Sequence, residues 1–248
     1  ITLMIQEKDP NHPVITVTAG LDVAEIKLIN KYAPALDMIG INTYGGIGFI
    51  SQGLRNFGWK KPYLITEWGP NGHWESPTTS WGTPIEQTST EKATSYNERY
   101  DIIAADKDMC LGSYVFLWGF KQETTSSWYG LFLKDGSETG VMDVLIEKWS
   151  GKKPQNLAPG INSFTINGKN AYESVTIKGK STMSIAVDAF DLNEDDLSYQ
   201  FEIVPESTDI KAGGDFEKTP ESVFKKIFVK SDPSIKAPFK KGKYRLFV

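Results

Sequence analysis

The stretch Lys61-Pro62-Tyr63-Leu64-Ile65-Thr66-Glu67-Trp68-Gly69-Pro70 decides the fold. An apolar run leads into one carboxylate, then a tryptophan and a Gly-Pro break. A strand that is apolar along its length is expected to be buried on both faces, as in a parallel sheet covered by helices. A glutamate at the C-terminal end of such a strand stands where α/β sheets and (β/α) barrels carry chemistry. The plainer role for an isolated Glu67 is to cap the following turn, so its neighbours must decide between the two.

Upstream, the turn Asp9-Pro10-Asn11-His12-Pro13 precedes a strand at 14–18. Asp22 opens a helix through Ile26, Ile29 and Tyr32 that Pro34 closes, and a second strand follows at 36–42. A short amphipathic segment carries Leu54 and Phe57 ahead of the strand at 63–66. Downstream, after a polar loop with two tryptophans, Thr88 and Glu91 have capping-box spacing. They start a helix with Ala93, Tyr96, Tyr100 and Ile103 on its apolar side. A fourth strand is expected at 112–118 and a last helix at 143–149. Four βα units in a row imply a parallel sheet. They amount to half of a (β/α)8 barrel, which takes ~250 residues. No Gly-rich fingerprint follows the first strand, which argues against an open nucleotide-binding sheet.

The segment 151–160, Gly-Lys-Lys-Pro-Gln-Asn-Leu-Ala-Pro-Gly, has linker composition. Beyond it the period changes to two, at 161–166, 174–177, 183–187 and 197–203, which predicts an antiparallel β-sandwich. The expected fold is therefore α/β, a partial TIM barrel over 1–150, then a linker at 151–160 and an all-β sandwich over 161–248. Residues 2–8 read as the tail of a helix under way, and 244–248 stop inside a strand. The expectation is a segment truncated at both ends of a longer protein, with neither a signal peptide nor an initiator Met in view.

Composition narrows the functional classes. The charge is −4, without a Lys/Arg-rich run, so nucleic acid is not an expected partner. No run approaches the ~18 apolar residues of a membrane span. A single cysteine, Cys110, excludes an internal disulfide; between Met109 and Leu111 it reads as a small buried hydrophobe. Two histidines far apart, His12 and His73, give no metal-ligand pattern. The acidic group Asp188, Asp191, Asn193, Glu194, Asp195 and Asp196 offers oxygen ligands of the kind Ca²⁺ takes, but its spacing fits a solvated turn better. No metal and no cofactor are expected.

Three successive strand ends carry residues suited to a sugar site: Asn42-Thr43-Tyr44, then Glu67-Trp68, then Trp118. In a barrel these ends converge on one face. Tyr44 is placed to hydrogen-bond Glu67, and Trp118 to offer a ring face to a sugar. As structural residues they would be a core tyrosine and a layer-filling tryptophan. His73, Trp74 and Trp81 follow Glu67 in the next loop, and Trp128 lies after the last strand; they make either a substrate subsite or a loop packed on its own aromatics.

The motifs 40–44 (Gly-Ile-Asn-Thr-Tyr), 65–69 (Ile-Thr-Glu-Trp-Gly) and 115–118 (Val-Phe-Leu-Trp) resemble strands six to eight of a retaining clan-A glycoside hydrolase. The turn at 9–14 and the segment 128–136 resemble family 2-like TIM-barrel domains, and 189–199 resembles the Ig-like or cadherin-like modules appended to extracellular carbohydrate enzymes. The resemblance covers about residues 1–150. It implies that Glu67 is the nucleophile, that Tyr44 orients it, and that Asn42, Trp68, His73, Trp74, Trp118 and Trp128 bind an oligo- or polysaccharide, in an extracellular or periplasmic protein. It also implies an acid/base glutamate in an Asn-Glu pair ending strand four, before Ile1. Glu75, Glu86 and Glu123 lie in loops and none follows an asparagine at a strand end, so the 248 residues alone are expected to be inactive. A β-1,3-glucan hydrolase or transglycosylase of the same clan, and a non-catalytic carbohydrate-binding barrel, fit the same motifs.

Overall fold

The computed structural model describes residues 1–211 and 214–248. They form two compact units, Ile1–Gly72 with Ser95–Trp118, and His73–Thr94 with Gly119–Val248. This division cuts the chain differently from a barrel ending at 150, because two segments before that point are compact with the sandwich.

The first unit is a partial parallel β/α barrel. Its elements are α1 (Thr2–Lys8), β1 (Ile15–Ala19), α2 (Val23–Tyr32), β2 (Met38–Asn42), α3 (Ile47–Asn56), β3 (Tyr63–Trp68), the latter part of α4 (Ser89–Ala105) and β4 (Cys110–Val115). The strands pair in parallel in the order β1-β2-β3-β4. Asp22 caps α2 by accepting from the Ala24 and Glu25 N–H groups, at 2.8 and 3.0 Å. The capping box of α4 is formed as its spacing requires: Glu91 N–H donates to Thr88 Oγ1, and Thr88 N–H to Glu91 Oε2.

Burial of the sheet alternates. Ile39, Ile41, Tyr63 and Ile65 are buried, together with Ile26 of α2 and Ile47, Ile50 and Leu54 of α3. On the opposite face Leu64 and Thr66 are half-buried and Val17 is exposed. The expectation of burial on both faces is thus corrected. An apolar run shows that a strand is central, and the elements on each side decide whether both faces are covered. The strand expected to reach Trp118 ends at Val115, and 116–118 form a turn that contains a cis Phe116–Leu117 peptide. Cys110 is half-buried, and desolvation raises its thiol pKa.

In the second unit, α5 (Gly140–Ser150) ends on Gly151 in the left-handed region, φ 71°. Antiparallel strands follow: β5 (Gly160–Ile166), β6 (Thr182–Phe190), β7 (Tyr199–Pro205), β8 (Phe224–Phe228), β9 (Ser234–Lys236) and β10 (Tyr244–Phe247). They make two sheets, ordered β5-β6-β9 and β10-β7-β8. Met183, Ile185 and Val187 of β6, Phe201 and Ile203 of β7 and Ile235 of β9 form the core of this sandwich. The strand expected at 174–177 does not form. A 3-10 turn occupies Ala171–Glu173, and Ser174 takes φ 53°, which no strand accommodates. No helix among the described residues is long and apolar enough to cross a membrane.

Candidate functional site

Glu67 lies one residue before the end of β3, at the C-terminal end of the parallel sheet. Its position rests on a register shift. Ile41 pairs with Ile65, but the next residue, Asn42, pairs with Glu67, so Thr66 is the extra residue of a bulge. The bulge brings the Asn42 and Glu67 side chains together. Asn42 Nδ2 donates to Glu67 Oε2 at 2.8 Å, and Tyr44 OH donates to Oε1. The Thr66 hydroxyl donates to Asn42 Oδ1 at 2.8 Å, which fixes the amide with its NH₂ toward the carboxylate. Glu67 therefore has each oxygen held by a separate donor on the neighbouring strand or just beyond it.

The bulge needs space that Gly40 supplies. A Cβ at position 40 would stand 2.6 Å from Thr66 Cγ2, 2.9 Å from Thr66 Oγ1 and 3.0 Å from Val17 Cγ2. The sequence motif 40–44 includes Gly40 but gave it no role of its own. Its signal was a glycine in the middle of an apolar strand, which marks a bulge or a close approach.

The segment after Glu67 is held from α4, again by residues the motifs did not indicate. Trp68 packs against Tyr96 and Tyr100, with ring centroids 5.2 and 6.4 Å away. Tyr96 OH donates to the Phe116 carbonyl at 3.0 Å, and Arg99 donates to the Gly69 carbonyl and to Asn71 Oδ1. A side chain at Gly69 would meet the Phe116 carbonyl at 2.8 Å. Arg99 and Tyr96 lie on a long, mostly polar helix, so only three-dimensional proximity reveals them.

The structure brings Asn42, Tyr44 and Glu67 together and puts Trp118 in the turn after β4, 63% exposed. Trp68 is 1% exposed, so it presents no ring face and its expected contact with a sugar is corrected: it fills the space under α4. In the second unit His73 stands edge-on to Trp74 and Trp128, with centroids 4.9 and 6.0 Å apart, and its Nδ1 lies 3.2 Å from Tyr129 OH. Trp74 is 60% exposed; Trp128 is 1% exposed, with the Arg245 guanidinium 5.7 Å from its ring centroid. Trp128 is thus a packed residue, not a platform.

Two of the three loop glutamates, Glu86 and Glu123, are committed elsewhere. Glu86 keeps 10% of its side chain exposed and accepts from Lys92 Nζ (2.5 Å), Thr125 Oγ1 (2.6 Å) and Ser127 Oγ (2.9 Å). Burial alone raises the Glu86 carboxyl pKa, but the Lys92 charge and these donors outweigh it and hold it below the ordinary value. A general acid needs the reverse. Glu123 pairs with Lys121 at 2.6 Å. Among the described residues no group of three metal-ligating side chains converges. Asp191 instead accepts from the N–H groups of Asn193 and Asp195 within its own turn.

No family model matches the sequence, and no curated protein does. Several solved structures are similar to it at low identity. Bacteroides uniformis β-glucuronidase 2, covalently bound to cyclophellitol-6-carboxylate aziridine, is 13% identical with a TM-score of 0.45, over 99% of this chain and 29% of that one. A GH128 (subgroup VI) exo-β-1,3-glucanase from Aureobasidium namibiae is 15% identical with a TM-score of 0.41, over 62% and 58%. A GH39 β-xylosidase from Caulobacter crescentus is 12% identical with a TM-score of 0.42, over 96% and 57%. The chain spans less than two thirds of the length of each.

Proposed function

We propose that Glu67 is the nucleophile of a retaining β-glycosidase and that this chain is the nucleophile-bearing part of that enzyme. The supporting observation is the carboxylate at a parallel-strand end with one donor on each oxygen, Asn42 Nδ2 and Tyr44 OH. Two donors from separate positions fix both the plane and the direction of the carboxylate, as attack on one carbon requires. In this reading Glu67 attacks the anomeric carbon and displaces the leaving oxygen. A second carboxylate, about 5–5.5 Å away, protonates that oxygen and then activates water to release the sugar. The family resemblance implies that an Asn-Glu pair ending another barrel strand supplies this second group. Trp118, exposed beyond β4 at the same end of the sheet, offers a ring face to the sugar. The chemistry uses no cofactor.

The test separates the nucleophile from the acid. A 2,4-dinitrophenyl 2-deoxy-2-fluoro-β-glycoside has a leaving group acidic enough to depart without protonation, and it traps the glycosyl-enzyme. Glucuronide, glucoside and xyloside forms should be incubated with the full-length protein and the peptides analysed by mass spectrometry. The expected result is a label on Glu67. In addition, Glu67→Ala supplied with azide should give the α-glycosyl azide, because azide then enters the face Glu67 had used. A label on another carboxylate, or a β-azide, would assign Glu67 a different role. Saccharide binding with no trapping by any form would leave a binding barrel.

A further inference from the structure

We infer that the second unit carries a separate saccharide site on the outer face of its β10-β7-β8 sheet. Arg245 and Phe247 of β10 pair with Val204 and Glu202 of β7, and these positions alternate with the core-facing Tyr244, Leu246, Phe201 and Ile203. The turn at 122–126 and Ser207 complete a pocket over this face, with an interior of about 40 Å³ that opens to solvent.

Three observations point to a ligand of one chemical class. First, four buried side-chain atoms among the described residues lack a hydrogen-bond partner, and three of them, Gln122 Nε2, Thr124 Oγ1 and Ser207 Oγ, belong to residues lining this pocket. Gln122 and Thr124 are 7% and 5% exposed. Leaving such a group unpaired carries its full desolvation penalty, so three together call for a partner. Second, Thr124 has φ 62°, a region that a β-branched residue rarely enters. It is held there by its N–H, which donates to the buried Glu217 at 2.7 Å, while Glu217 also accepts from the Lys211 N–H. Strain maintained by a second buried group is characteristic of binding sites. Third, the charged groups are already paired. Arg245 donates to Glu206 and to the Pro84 carbonyl, and Glu202 is bound by Lys225 and Ser222.

The unpartnered groups are one amide NH₂ and two hydroxyls, beside a half-buried phenyl ring and the further hydroxyls of Ser126 and Thr219. These complement neutral vicinal hydroxyls, which both donate and accept, with the sugar ring lying on Phe247. An anion would need a cation not already committed. The pocket admits the edge of a pyranose rather than the whole ring. The three polar atoms are sealed in the resting arrangement, so binding at this site requires their side chains to turn toward the ligand. Binding is therefore weak, with a Kd on the order of 1 mM.

The full chain, ¹⁵N-labelled, should be titrated with cellobiose, laminaribiose, xylobiose and, separately, inorganic phosphate. We expect saturable shifts at Gln122, Thr124 and Ser207 with at least one disaccharide and none with phosphate. Gln122→Met and Ser207→Ala should each weaken that binding about 3- to 10-fold while leaving Tm unchanged or higher, since each removes an unpaired buried group. Glu67→Gln should bind as the parent does, which keeps this site independent of the nucleophile assignment. The inference is overturned by phosphate-only shifts, by no shifts at these residues, by variants that lose Tm but keep affinity, or by binding lost in Glu67→Gln alone.

Discussion

At the scale of single residues, the proposed chemistry depends on two donors and one glycine. Tyr44→Phe deletes one donor to Glu67 and leaves the packing ring in place. A hydrogen bond to a charged group is worth about 1.5–3 kcal/mol, so kcat/KM of the full-length enzyme should fall about 10- to 100-fold. The loss should appear in kcat, because the bond orients the attacking group rather than the ground-state sugar; an unchanged kcat would remove Tyr44 from the mechanism. Gly40→Ala tests the bulge. Its Cβ would stand 2.6 Å from Thr66 Cγ2, and overpacking of this kind costs about 1–3 kcal/mol. Denaturant unfolding should show that loss, and activity should fall as Thr66 and Asn42 shift. Adding Thr66→Ala should restore part of the stability, since the two nearest clashing atoms belong to Thr66. Strictly additive losses would show that Gly40 does not serve the bulge. Glu67 and Tyr44 were legible in the sequence because both stand at strand ends. Gly40 showed only as a glycine inside an apolar strand; that it makes room for Thr66 follows from the shift between Ile41 and Asn42, which neither strand displays alone.

At the scale of elements, the opposite end of β3 is anchored by Asp106, in the turn after α4. Its carboxylate accepts from Arg55 Nη1 and Nη2 (both 2.8 Å), Ser51 Oγ (2.7 Å) and Tyr63 OH (2.9 Å), with only 5% of the side chain exposed. The Arg55 hydrogen bonds, more than offsetting desolvation, hold the Asp106 carboxyl well below the usual range. Its folded pKa is depressed, so its contribution is complete above the unfolded value of about 3.9 and is lost as pH falls below it. Tm of the parent should therefore drop steeply below about pH 4. Asp106→Asn should be less stable near neutrality and show a flatter profile there; the same acid slope in both would place the titrating group elsewhere. Asp106→Ala, which removes the shared acceptor of Arg55, Ser51 and Tyr63, should be less stable than Asp106→Asn. The helix caps at Asp22 and Thr88 were readable because they are local patterns of three or four residues. Arg55 and Asp106 are 51 positions apart, and nothing in the sequence couples them. β8, Phe-Lys-Lys-Ile-Phe, was missed because two adjacent lysines break the alternation, and β9 because three residues carry no period.

At the scale of the molecule, parallel barrel strands followed by antiparallel strands were legible, because the hydrophobic period changes after the linker. The grouping of the segments was not, because it depends on contacts between residues far apart in the chain. The segments 73–94 and 119–149 are compact with the sandwich, and the contacts are specific. Ile161 N–H donates to Thr90 Oγ1 at 2.8 Å, Lys243 Nζ to the Trp81 carbonyl at 2.8 Å, and Arg245 Nη2 to the Pro84 carbonyl at 2.8 Å. Glu217 accepts from the Thr124 N–H. A chain that stops at Ser150 keeps every residue of both segments and loses all four partners. The Glu86–Lys92 pair, which also binds Thr125 and Ser127, would lose the sheet beside it along with the charge of Arg245. If the linker separated independent domains, truncation would leave these segments unchanged. If they belong to the sandwich unit, amide hydrogen exchange at 79–85 and 122–128 should accelerate more than tenfold, a change of about 1.4 kcal/mol or more in local opening. Exchange in β2 and β3, which lie in the other unit, should change much less. Equal protection of 79–85 with and without residues 151–248 would show that the sandwich is an appendage.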